Sequence, residues 1–179
     1  MSTRITKDFT FLSSLHFQDK FMVNLYEMNA SMIIETFDQV EQNIAIERMN
    51  YFLTDVLEGC IFIQDTELEA MEKYSNAGLK IVSVPEEPYD QIIGLLLLNK
   101  CNAIMENRIH LSDIIFGSKL SNLIKFDLSS EMAINEYPEK KWYNDSSLNT
   151  HSKKKKDKIV KLFDSKNEWA DLELTWPKK

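Results

Sequence analysis

The chain has 179 residues, of which 44% are apolar and 27% charged, with only four glycines and four prolines. That excludes collagen-like, linker-rich and low-complexity chains and suits a single globular domain. Net charge is −7 but unevenly spread: residues 1–20 carry three basic and two acidic groups, 21–139 seven basic and twenty acidic, and 140–179 eleven basic and six acidic. An acidic body with a basic C-terminal section is therefore expected, and the body should repel nucleic acid.

The longest apolar run, Ile92 to Leu98, is far shorter than the roughly 20 residues of a membrane span, and the opening MSTRITKDFTFLSSLHF has no signal-peptide core. Cys60 and Cys101 each sit in an apolar run and read as buried thiols. A reducing, cytoplasmic setting is the expectation, with no membrane partner.

In chain order, Lys20 to Glu27 alternates with strand period and Ser31 to Phe37 reads as a second strand, joined as a hairpin through MNAS. Asp38 starts a helix to about Leu57, with Val40, Ile44, Met49, Phe52, Leu53 and Val56 at helical steps and Gly59 as its stop. Cys60 to Ile63 is a short strand. Thr66 is expected to cap a second helix that ends at Gly78, and Leu79 to Val84 is the next strand. Strand, helix and strand within 25 residues form a right-handed βαβ unit with parallel strands.

After Pro88 a third helix, about 89–107, is apolar on nearly every face, so it should be central and buried. Ile109 to Phe116 and Asn122 to Leu128 read as a hairpin. Residues 138–158 read as a basic surface loop, and 159–179 as strands that return to the acidic body of 1–137. The fold class is α+β: a mixed, mostly antiparallel sheet with about three helices, one βαβ unit and a central buried helix.

Ligands in sheets with parallel strands sit outside the carboxyl ends of those strands. There the βαβ unit releases Asp65, Glu67, Glu86, Glu87 and Asp90, a carboxylate rim that could hold Mg²⁺ or Mn²⁺ for hydrolysis. The competing explanation is that acidic residues in a helix's first turn are stabilised by the dipole, by roughly 0.3–1 kcal/mol each. His110, Ser112 and Asp113 make a poor catalytic set, because strand residues two apart project in parallel about 7 Å apart. Neither His16 nor His151 has metal-ligand spacing to the cysteines. Gly59, Gly78, Gly94 and Gly117 lie too far apart for a phosphate-cradling loop.

Aromatic residues near both ends, Phe9, Phe11, Trp142, Tyr143 and Trp169, are candidate interface anchors. Lys153, Lys154, Lys155 and Lys156 are candidates for weak, unspecific nucleic-acid contact. The favoured expectation is a non-enzymatic protein-binding or assembly factor needing no cofactor, of the kind found as bacterial or phage accessory proteins, partnered by another protein or by itself as a homodimer. A metal-dependent hydrolase at the rim is the alternative, and a nucleic-acid-associated protein using the lysine run is the second.

Overall fold

A computed structural model describes residues 3–122 and 124–150. Six strands form one curled, half-barrel sheet in the order β4-β3-β1-β2-β5-β6. They are β1 (Arg4–Phe17), β2 (Lys20–Ile34), β3 (Ile61–Gln64), β4 (Ile81–Val84), β5 (Ile109–Ser118) and β6 (Lys125–Ser129). Strands β1, β3 and β4 run parallel, while β1–β2, β2–β5 and β5–β6 are antiparallel. The four α-helices are α1 (Gln39–Tyr51), α2 (Leu68–Asn76), α3 (Asp90–Met105) and α4 (Ser130–Glu136). No helix among the described residues is long and apolar enough to cross a membrane.

One expectation about the first third of the chain is corrected: 20–34 is one strand rather than a hairpin at MNAS, and the opening residues, to which the sequence assigns no element, form the 14-residue strand β1. Met22, Asn24, Tyr26, Met28, Ala30 and Met32 keep an unbroken period of two along one face, so a turn at Asn29 would flip the strand's second half out of the core. The real turn is Gln18–Asp19, with φ of 49° and 59°. Those are the left-handed pair a two-residue hairpin needs, met without glycine or asparagine.

Helix α1 begins where the capping motif places it, with the Asp38 side chain accepting from Val40 N, and continues as a π-helical turn over Phe52–Val56. The βαβ unit is present with its strands adjacent, and Gly78 takes φ +77° after α2. Thr66 is not the cap of α2, however. That position falls to Glu67, whose side chain makes no capping bond.

Helix α3 is buried continuously from Ile93 to Cys101. It lies on the sheet at β5 and β6, with α1, α4 and a 3₁₀ turn at Trp142–Asn144 around it. The expected hairpin of the third quarter is β5–β6. The additional helix α4 follows it, capped by Ser129 accepting from Met132 N.

The 138–158 stretch is not a surface loop through residue 150. Trp142 and Tyr143 are buried, the Trp142 indole donates to Ser83 O on edge strand β4, and Lys100 Nζ donates to three carbonyls, of Trp142, Asp145 and Ser147, at 2.6–2.8 Å. Residues 151–158 with their four lysines, the strands expected over 159–179, and Trp169 lie outside the described residues.

Candidate functional site

Alternation along β1 and β2 divides their side chains between two faces of the sheet. Phe9, Phe11, Leu15, Tyr26, Met28 and Met32 point into the main core with α1, α3 and α4. The opposite face carries Leu12, Ser14 and His16 on β1, paired respectively with Leu25, Val23 and Phe21 on β2. Among the described residues, helix α2 covers this outer face only at the β3–β4 end, where it reaches across with Tyr74, whose ring lies 5.6 Å from His16 and 5.9 Å from Phe21. Beyond Tyr74 the face is open: Leu12 is 45%, Phe21 48% and Val23 57% exposed. Further along, it turns polar through Asp8, Asn29 and the Lys125–Glu27 ion pair.

Of the proposed interface anchors, Phe9, Phe11, Trp142 and Tyr143 are core residues. Phe9 and Phe11 hold inward register positions on β1, where Phe11 stacks on Tyr26, and Trp142 and Tyr143 sit on the 3₁₀ turn against α3, with Trp142 bonded to β4. Outward positions of β1 and β2 instead supply three of the exposed apolar side chains, Leu12, Phe21 and Val23, beside others on helices and loops such as Phe37 and Leu68. Sequence reasoning passed over Phe21 and Val23 because period-two alternation marks two faces without saying which is covered.

The carboxyl ends of the parallel strands do share one edge, but the five rim carboxylates do not converge. Asp65 stands 3.9 Å from Lys141 Nζ. Glu86 accepts from the Tyr137 hydroxyl at 2.8 Å, a bond that, after burial, helps push the Tyr137 hydroxyl's pKa up. Asp90 opens α3 and lines a separate cavity of about 300 Å³ walled by Leu15, Phe17, Met22 and Phe126. Its Oδ2 is buried without a hydrogen-bond partner among the described residues. Only Glu67 and Glu87 meet, in a cleft of about 110 Å³.

The other walls of that cleft come from β1 and its turn, His16 to Asp19. Neither His16 nor Asp19 was among the candidate ligands, since the β1–β2 turn lies some 50 residues from Glu67 in sequence and only the parallel β1–β3 pairing joins them. Strand residues His110, Ser112 and Asp113 go to separate partners, as parallel projection implies: His110 Nε2 to Ser130 Oγ, Ser112 Oγ to Ser31 O, and Asp113 to Arg4.

No protein-family model and no curated protein matches the sequence. Among solved structures the chain is similar to one described as uncharacterized protein WS1659 from Wolinella succinogenes, with a TM-score of 0.54 and 11% identity over 73% of this chain and 99% of that one. At that identity the likeness concerns the fold alone.

Proposed function

We propose that the protein is a non-enzymatic binding factor that docks an apolar surface of another protein, or of a second copy of itself, on the open outer face of β1 and β2. The observation that carries this reading is the contiguity of Leu12, Phe21, Val23 and Leu25, which sit on directly paired strands with three of them roughly half exposed. Burying such a cluster favours association by roughly 25 cal/mol per Å² of apolar area removed from water, and contiguous apolar patches rimmed by polar groups mark interaction surfaces.

Backbone order supports the same reading. The paired strands fix the backbone of the patch, so docking costs little backbone conformational entropy. The strongly acidic body around it favours a partner whose contact rim is basic, which would speed encounter and make it salt-sensitive.

The test compares the full chain with a Phe21→Lys, Val23→Lys double variant, using retention of host proteins and sedimentation of the purified chain. Retention of a partner near one-to-one, or self-association, that falls at least tenfold in the variant while Tm holds supports the proposal. A wild-type monomer that retains nothing, or equal retention by both chains, overturns it.

A further inference from the structure

The cleft at the carboxyl edge of β1 holds a second, chemically distinct feature. One ring nitrogen of His16 and one carboxylate oxygen from each of Asp19 and Glu67 lie within 4.8 Å of one another. Two stretches far apart in sequence supply them: the end of β1 with its adjoining left-handed Gln18–Asp19 turn, and the residue that starts α2.

Two acidic side chains near a histidine would mean little alone. The histidine itself is the unusual partner. His16 is only 7% exposed, its Nδ1 sits 3.0 Å from the Tyr74 hydroxyl, and its Nε2 is buried with no hydrogen-bond partner among the described residues. A buried polar nitrogen without a partner is destabilising, and His16 lines the same cleft as both carboxylates.

We infer that His16, Asp19 and Glu67 form a binding site for a divalent first-row transition ion of the Zn²⁺ class. The donor set decides the class. An imidazole nitrogen with two carboxylates is a borderline set that suits Zn²⁺ or its neighbours, whereas Mg²⁺ and Ca²⁺ prefer oxygen alone. Binding through Nε2 would leave Nδ1–H to donate to the Tyr74 oxygen, the outer bond that commonly fixes the tautomer of a metal-bound histidine. Ligand atoms about 2.1 Å from one ion stand about 3–3.5 Å apart, a contraction that rotation of the two exposed carboxylates can supply. Three protein ligands in an open cleft leave a coordination position for water or for a donor atom from a partner.

The ion would also tie α2 to the β1–β2 turn beside Phe21, next to the proposed docking face. The site does not depend on that docking, and it is tested without any partner.

The experiment is calorimetric titration of the untagged, chelator-stripped full chain with Zn²⁺, with the His16 imidazole signals followed by NMR. One ion per chain should bind and shift the His16 ring nitrogens. Asp19→Asn and Glu67→Gln, both exposed and near-isosteric, should each weaken binding at least tenfold. Asp65→Asn, a carboxylate outside the trio, should leave it unchanged, and a large excess of Mg²⁺ should not compete. Absence of stoichiometric binding overturns the inference. So does equal binding by the two carboxylate variants, or binding that leaves the His16 signals unmoved.

Discussion

Lys100 shows how a polar residue in the most apolar helix becomes a structural tie. It is fully buried in α3, yet each of the three donors of its ammonium meets a carbonyl of the 142–147 segment, and the Phe52 ring lies 5.6 Å from the charge. Replacing it by methionine would strand those carbonyls, at about 3 kcal/mol in all. Lys100→Met should therefore lower Tm by roughly 10 °C in calorimetry and speed amide exchange over 142–147. Burial also pulls the Lys100 pKa down from 10.5 to about 8. Between those values the unfolded chain holds a proton that the folded chain has released, so this group's contribution to stability rises with pH through that window and is lost as pH falls through 8. The stability gap between wild type and Lys100→Met should thus widen from pH 8 to 10.5. Burial acts the other way on Cys60 and Cys101, lifting their pKa values to about 11 and 12; Cys60 cancels in that difference, whereas Cys101 interacts with the Lys100 charge and does not.

At the scale of elements, close packing of α3 on the sheet rests on Gly94. A Cβ there would stand 2.5 Å from Leu128 Cδ1 and 3.0 Å from the buried Phe116 ring. Gly94→Val should cost about 2–3 kcal/mol in denaturant unfolding, because the overpacked helix must lift from β5 and β6. The sequence alone made this helix legible, since the run Ile92 to Leu98 is apolar throughout, and the structure buries nine consecutive residues from Ile93 to Cys101. The βαβ unit was equally legible through its short apolar strands and Gly78. The N-terminal hairpin was not, because its turn uses Gln18 and Asp19 in place of the glycine or asparagine that usually announces a left-handed pair. Helix α4 was hidden for a different reason: seven residues are too few for helical periodicity to show. The cleft was half visible. Glu67 and Glu87 follow from the parallel strands, but His16 and Asp19 join them only through the β1–β3 pairing, which no local pattern encodes.

At the scale of the molecule, the half-barrel is lopsided. One face buries the large aromatic residues under α1, α3 and α4, while among the described residues the other is roofed by α2 at one end only. Antiparallel strands commonly leave one face to water, and then the outward residues are polar. Over Asp8, Asn29 and Glu27 this sheet obeys that rule. Over Leu12, Phe21 and Val23 it does not. Each of the three leaves about half of its apolar surface in water, where a polar side chain would be the usual choice. Their presence is what motivates the proposed docking face.

The most direct measurement is site-specific photo-crosslinking in host cells, with the reactive side chain placed in turn at positions 12, 21, 23 and 134. Ile134 is just as exposed but lies on α4, across the molecule from the outer face. Discrete adducts from 12, 21 and 23, with none from 134, are the predicted result. Adducts from 134 with none from the three strand positions would contradict it.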